Sequence, residues 1–299
     1  MEEHFPYRRI KKPPRMQCWL DGRYFFETDA IFTLADWREA FRSGFYFYIR
    51  AYACEVPYLG RYYQYLKDCI EENSYPDVVF LEKETLRKII YDLLQKDRYF
   101  ENALLRVTCF LRYRQDALDV ERAQTSILIE AFPLAGKFFD LEPPKLTIAS
   151  FARKRFAPSE VTRSRPLVDP YQWQCEVFCR RFTYADGVYY NTNDRVTQTS
   201  LRDIYCIEQN MIMTPPLGEG LRCDPFRAIV KILARQAGYQ FVEKPLTREE
   251  LLRAQEVFLG STRYGLEPVL VFDNQSYFTY QSCALIPDLN RILFPNHCE

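Results

Sequence analysis

Residues Val196-Thr-Gln-Thr-Ser200-Leu-Arg-Asp203-Ile-Tyr205 lie between stretches of strand-forming residues. Residues 187–191 are predicted to form a strand before them, and residues 204–208 form the next. Asn210 then begins a turn into a further strand at 211–214. The segment therefore lies among three predicted strands.

The remaining elements follow from apolar periodicity. Strands are expected as a pair within 17–32 joined at Asp21-Gly22, and at 45–52, 104–113, 125–132, 146–151, 256–260 and 269–272; helices are expected at 58–71, 83–95, 171–182, 225–238, 247–254 and 285–293. Glu142-Pro-Pro-Lys145 is interpreted as a linker, because two prolines block helix continuation. The prediction is a basic arm at 1–16, a smaller α+β domain at 17–142 and a larger domain at 143–299.

Composition excludes several classes of protein. Forty basic residues balance forty acidic ones, which argues against nucleic acid or a membrane surface as partner. The two histidines, His4 and His297, lie at the ends of the chain. Neither a serine-histidine catalytic site nor a histidine metal site is therefore expected. Ten scattered cysteines, with no Cys-x-x-Cys pair, are interpreted as structural thiols of a cytoplasmic protein. No apolar run reaches the roughly 20 residues that cross a bilayer.

Several segments, in one order, resemble the class IV (fold-type IV) pyridoxal-phosphate aminotransferases, which include branched-chain and D-amino acid aminotransferases and aminodeoxychorismate lyases. The resemblance is carried by Trp19-Leu-Asp-Gly22, Asp36 with Gly44-Phe-Tyr-Phe47, Thr214-Pro-Pro-Leu217, Lys244–Leu251 and Val257–Thr262 with Pro268-Val269. Residues 196–205 resemble the family signature Val-x-Glu-Gly-Ser-x-x-Asn-Ile-Phe. The resemblance implies an α+β fold of two α/β domains, a cofactor cleft between them and a homodimer.

Three positions depart from what the resemblance implies. The family lysine that holds pyridoxal phosphate as an imine lies about thirty residues before the signature, and counting back from Val196 reaches Arg165. Arginine cannot form that imine, and since no lysine occurs between Lys154 and Lys231, Lys154 is the fallback. Gln198 matches the glutamate that pairs with the pyridine nitrogen, and Tyr65 matches the arginine that grips the phosphate.

Other residues are candidates for lining the cleft. Ser261 and Thr262 match the family's phosphate-contact turn, although Gly-Ser-Thr is also ordinary turn chemistry. The further candidates are Ser200, Tyr48 and an arginine-aromatic group: Arg38, Arg163, Arg165, Arg202, Arg263, Tyr46, Tyr65 and Tyr264. Guanidinium groups suit carboxylate or phosphate ligands. The alternative is that they pair with the chain's own carboxylates.

Three hypotheses follow. The first is a class IV aminotransferase-like protein, a pseudoenzyme without catalytic residues, that binds a small anionic ligand or a partner. The second is an active pyridoxal-phosphate aminotransferase or lyase that uses a displaced lysine. The third is a structural or assembly subunit, motivated by Tyr62-Tyr63 and the tyrosines of 46–52. The sequence names no substrate.

Overall fold

The computed structural model describes residues 17–29, 31–76, 82–113, 123–136, 138–157 and 163–294, without the side chains of 152–156. The predicted basic arm lies outside these residues. The described residues form two compact units. The first runs to Tyr63 and resumes from Tyr75 to Phe138; the second comprises Gln64–Ser74 and the chain from Phe139 onward.

The first unit is built on an antiparallel sheet. Its elements are β1 (Gln17–Leu20), β2 (Arg23–Phe26), α1 (Leu34–Ser43), β3 (Phe45–Tyr52), the start of α2 (Leu59–Glu72), α3 (Lys83–Asp97), β4 (Asn102–Tyr113) and β5 (Ala123–Pro133). The strands lie in the order β2-β1-β5-β4-β3, each antiparallel to its neighbour. Asp21 and Gly22 both have positive φ, 46° and 95°, as the predicted tight hairpin turn requires.

The second unit is built on a larger mixed sheet. Its elements are the end of α2, β6 (Leu146–Phe156), β7 (Arg165–Pro166), α4 (Pro170–Phe182), β8 (Asp186–Asn191), β9 (Arg195–Thr199), β10 (Asp203–Glu208), β11 (Met211–Thr214), α5 (Phe226–Gln236), β12 (Gln240–Glu243), β13 (Leu246–Thr247), α6 (Arg248–Arg253), β14 (Glu256–Ser261), β15 (Gly265–Phe272), β16 (Gln275–Ser276), α7 (Gln281–Ala284) and α8 (Ile286–Leu293). Strands follow the order β12-β11-β10-β14-β15-β6-β8-β9-β13, and β16 pairs with β15. β6 is parallel to both of its neighbours, β15 and β8.

The core of the second unit fills the space around this sheet with branched and aromatic side chains. Ile148, Val188, Ile204, Val257 and Val269 are fully buried in one cluster. Burying such side chains is the main favourable term in folding, about 25 cal/mol per Å² of apolar surface. On α4, the thiols of Cys175 and Cys179 lie 3.9 Å apart and are buried, which confirms that the two share a helix face.

Most predicted elements are confirmed, and with them the α+β fold class. Helices α1 and α7 and strands β7, β9, β12, β13 and β16 were not predicted. Strand β15 begins at Gly265 rather than at residue 269. Tyr62 and Tyr46 are buried, so they do not offer the exposed aromatic surface that motivated the assembly hypothesis. No helix among the described residues is long and apolar enough to cross a membrane.

Candidate binding site of the second unit

Three consecutive residues, Arg222-Cys223-Asp224, form the centre of a buried polar network just before α5. We call them the 222–224 segment. The backbone N–H of Arg222 donates a hydrogen bond to the side-chain oxygen of Gln198. The carbonyl oxygen of Cys223 accepts from the hydroxyl of Tyr65 at 2.8 Å. Two residues singled out from the sequence therefore meet the same short segment.

Asp224 makes the densest set of contacts in this segment. Its Oδ1 accepts hydrogen bonds from the backbone N–H of Phe226 at 2.9 Å, from the N–H of Thr262 at 3.1 Å and from the Thr262 hydroxyl at 2.5 Å. Its own N–H donates to the two carboxylate oxygens of Asp203 at 3.2 and 3.1 Å. Thr262, a predicted anion contact, thus donates to a carboxylate of this chain.

Burial shifts the titration of both aspartates. It raises the pKa of Asp203 to about 7; Arg227 opposes the rise, and Asp224 adds to it. Burial also raises the pKa of Asp224, and Arg165 and the Thr262 hydroxyl oppose that rise. Asp224 raises the pKa of Asp203 because like charges disfavour joint ionisation.

Arg165 is buried at β7 and faces the turn between β9 and β10. One guanidinium nitrogen, Nη1, donates to the carbonyl oxygen of Ser200 at 3.2 Å, and Nη2 lies 4.0 Å from Asp203 Oδ1. Arg165 and Ser200, both singled out from the sequence, are therefore in direct contact. The positive charge faces the paired aspartates.

The turn after Ser200 holds a second buried ionic group. Arg202 Nη1 donates to Asp186 Oδ2 at 3.0 Å and Arg202 Nε to Glu267 Oε2 at 2.5 Å. Burial disfavours the guanidinium charge, yet Glu267 and Asp186 outweigh burial and raise the pKa of Arg202 above its ordinary value. The Ser200 N–H donates to Asp186 at 2.9 Å, so this group also holds the turn in place.

Tyr65 and Arg163 are joined through the end of α2. The Tyr65 hydroxyl also lies within hydrogen-bond distance of the Arg163 carbonyl oxygen, at 3.1 Å. The Arg163 guanidinium pairs with Asp68, and with Glu72 at 2.8 Å. Burial raises the pKa of Tyr65 well above its ordinary value, so its hydroxyl keeps its proton and remains a donor.

The other candidates lie elsewhere or serve local turns. Ser261 Oγ accepts from the N–H of Tyr264 at 3.2 Å, and the Tyr264 ring centroid lies 4.2 Å from the Arg202 guanidinium carbon. Tyr48 belongs to the first unit, where its ring meets that of Tyr46 at 5.7 Å. Lys154 lies on β6, and its side chain is outside the described part of the chain.

The arginine candidates pair largely with carboxylates of the chain, as the alternative reading of the sequence expected. Arg38 meets Glu39 at 2.9 Å, and the partners of Arg163, Arg165 and Arg202 are acidic side chains as well. Among the residues that the structure describes, no cluster of three or more His, Cys, Asp or Glu side chains is arranged to hold a metal ion.

Asp186, Asp224 and Glu267 were missed by sequence reasoning. A signal existed for Asp224, because Asp followed by Pro just before an amphipathic helix is a common helix start. Asp186 and Glu267 lie inside strands and follow no local pattern. Their role depends on Arg202, which approaches them from another part of the sheet.

Comparisons with known proteins place this arrangement in a family. The profile of the family described as amino-transferase class IV matches residues 78–271, which is more than half of the chain. The chain belongs to the class IV aminotransferase family. Beyond that match, it is 25% identical over 153 residues to the branched-chain-amino-acid aminotransferase of Escherichia coli, a span of 50% of this chain and 49% of that one.

Solved class IV structures share the fold. The branched-chain aminotransferase of Thermoproteus uzoniensis has a TM-score of 0.82 at 24% identity and covers 95% of this chain and 96% of its own. The branched-chain amino acid aminotransferase of Thermobaculum terrenum, solved in its pyridoxal-phosphate form, has a TM-score of 0.80 at 16% identity, with 93% and 94% covered. The fold-type IV architecture implied by the resemblance is therefore confirmed.

Proposed function

We propose that this chain is a class IV aminotransferase-like protein that has lost Schiff-base chemistry and acts by binding. The observation that carries the proposal is Arg165, which matches the position of the family lysine and directs its guanidinium to Ser200 and Asp203. A guanidinium stays protonated and has no amine that forms an imine with an aldehyde. Folds persist after the sites grafted on them change, so membership of the family is compatible with lost chemistry.

The residues present do not fit pyridoxal phosphate. In the family, a glutamate pairs with the pyridine nitrogen and keeps the ring electron-withdrawing. Gln198 is a neutral amide, and its oxygen already accepts a hydrogen bond from Arg222. Where the family has an arginine that binds the cofactor phosphate, this chain has Tyr65, whose hydroxyl is directed at backbone carbonyl oxygens.

Two lysines on the described part of the second unit lie close to carboxylates. Lys244 Nζ lies 2.9 Å from Glu250 and Lys231 Nζ lies 3.8 Å from Glu243. Each of these two ammonium groups is therefore paired with a carboxylate of the chain, which favours the proposal. Lys154 remains the fallback for an active enzyme, and the experiment below includes it.

Between the two kinds of ligand, the charges favour a macromolecular partner over a small anion. The guanidinium groups of Arg163, Arg165 and Arg202 face carboxylates of the same chain, which already supply the negative charge an anion would bring. The partner that the family suggests is a second copy of this chain, since family members are typically dimeric.

The nine cysteines on described residues are free thiols, which supports a reducing compartment such as the cytoplasm.

The test is a search for an imine on the purified full-length protein. Pyridoxal phosphate is added, a visible absorption band is sought, and borohydride is used to fix any adduct for peptide mapping. We expect no band and no transamination with a panel of amino acids, while the E. coli branched-chain aminotransferase, as positive control, shows both. A borohydride-stable adduct on Lys154 or any other lysine would overturn the proposal.

Arg165→Lys is the informative variant in the same assay. We expect it to remain inactive, because Gln198 and Tyr65 still differ from the family residues and one amine does not restore the other two functions. Appreciable transamination by Arg165→Lys would show that the rest of the site is intact and would limit the loss to a single position.

A further inference from the structure

Three hydrogen-bond donors at the start of α5 converge on one point. They are the N–H of Phe226, at the first residue of the helix, and the N–H and hydroxyl of Thr262, just after β14. The first N–H groups of a helix have no partner within the helix and carry a partial positive charge. A helix start reinforced by further donors is the usual protein arrangement for binding an anionic oxygen.

The point where these three donors converge is buried from solvent and lies near a fixed positive charge. Thr262 is fully buried, and Phe226 and Asp224 are 1% and 5% exposed. Arg165 Nη2 lies 4.0 Å from Oδ1 of Asp203, the carboxylate oxygen that also accepts from the Asp224 N–H. In such surroundings a hydrogen bond to an ionised group is stronger than in water. A buried anion there needs hydrogen bonds to its oxygens to stay ionised.

The occupant of this position is a side chain of the protein itself, since Asp224 Oδ1 accepts all three hydrogen bonds. A helix cap alone would need only the Phe226 N–H. The two Thr262 donors come from the residue that follows β14 and are not needed to cap the start of a helix. Their arrangement matches what a phosphate oxygen would require.

We propose that Asp224 is a built-in carboxylate that fills the anion position at the start of α5 and excludes an external phosphate group from it. The inference rests on the proposed loss of cofactor chemistry. It extends that loss from the imine-forming end of pyridoxal phosphate to its phosphate end. Removing the carboxylate leaves the Phe226 and Thr262 donors in place and opens the position to inorganic phosphate.

The experiment compares phosphate binding to full-length wild type, Asp224→Gly and Asp224→Asn by isothermal titration with inorganic phosphate at constant ionic strength. Wild type is expected to show no saturable binding. Asp224→Gly removes both charge and volume and is expected to bind phosphate at least ~tenfold more tightly than wild type. Asp224→Asn, the matched control, removes the charge but keeps the volume and is expected to bind no better than wild type.

Placement of the phosphate is checked with the double variant Asp224→Gly, Thr262→Val, which loses the hydroxyl donor and is expected to bind more weakly than Asp224→Gly. Asp224→Ser, with a smaller capping side chain, replaces Asp224→Gly if the glycine variant does not fold. Saturable phosphate binding by wild type at this position would overturn the inference. So would the absence of phosphate binding, or of folding, in both the Gly and Ser variants, because Asp224 would then be a structural cap.

The two proposals fail separately. Pyridoxal, which has the aldehyde but no phosphate, reports only on the imine. A borohydride-stable pyridoxal adduct of wild type would overturn the proposed function and leave the role of Asp224 standing. Phosphate binding by wild type without an adduct would overturn the role of Asp224 and leave the proposed function standing.

Discussion

Asp203 and Asp224 illustrate what burial does to single residues. Both carboxyl groups are almost inaccessible, and the pKa of Asp203 is raised from 3.8 to about 7, chiefly because burial disfavours its charged form. The family signature has asparagine where this chain has Asp203. The aspartate therefore adds an ionisable group at this position of the signature.

This shift predicts a dependence of stability on pH. An acid whose pKa is higher in the folded than in the unfolded chain binds its proton more tightly when folded. The free energy of unfolding is therefore expected to fall as pH rises from about 4 to about 7, and the contribution of Asp203 levels off above that range. Urea denaturation across this range measures the effect.

Asp203→Asn is the matched control for the pH prediction. It preserves shape and removes the ionisable group, so its stability is expected to fall less steeply over the same pH range. Parallel stability profiles for wild type and Asp203→Asn would contradict the prediction.

Helix α4 packs closely on strand β8 in the second unit because Gly187 of β8 has no side chain. A Cβ added at Gly187 would lie 2.3 Å from Cys175 Sγ and 3.3 Å from Phe151 Cβ. Both neighbours are buried, and Cys175 also packs against Cys179. The helix approaches the strand this closely only because residue 187 is glycine.

Gly187→Ala is therefore expected to lower the free energy of unfolding by about 1–3 kcal/mol, the usual cost of overpacking a filled core. Gly60→Ala is the control: it lies in α2 with nothing within 4 Å of the added Cβ, and alanine favours helix, so no loss is expected. Chemical denaturation of both variants gives the comparison. An unchanged stability for Gly187→Ala would mean that α4 can move aside.

Two of the elements that sequence reasoning missed, β9 and α1, share a physical cause. Strand β9 contains Thr197, Gln198 and Thr199, which are polar yet buried, so their pattern resembles a loop. Helix α1 has the reverse property: Leu34, Trp37 and Phe41 are exposed while Asp36 and Glu39 are buried. Strand and helix periodicities assume that apolar residues face inward, and they fail where this order is inverted.

The candidate site was predictable only in part for a similar reason. Arg165, Gln198, Ser200 and Thr262 could be singled out because the family resemblance assigned them positions. Their partners could not, since Arg165 meets Ser200 and Asp203, and Thr262 meets Asp224, across long stretches of chain. Pairings of this kind are set by how strands align in the sheet.

At the scale of the whole molecule, we expect the full-length protein to be a homodimer. Large apolar side chains remain exposed in both units, among them Trp37, Phe41, Trp173 and Phe182. Exposed apolar residues in such number supply surface that self-association can bury. Sedimentation at micromolar concentration is expected to give twice the 35.7 kDa mass of the chain. A monomer that persists at high concentration would contradict this expectation.

The position of β15 between β14 and β6 has a consequence for synthesis of the protein. Strand β6 needs β15 as a neighbour, yet β15 is translated only after nearly all of the chain. The five strands of the first unit are complete by Pro133, so they can pair while translation continues. On the ribosome, β6 therefore keeps one edge unpaired until β15 emerges, and an unpaired strand edge of this kind is prone to aggregation.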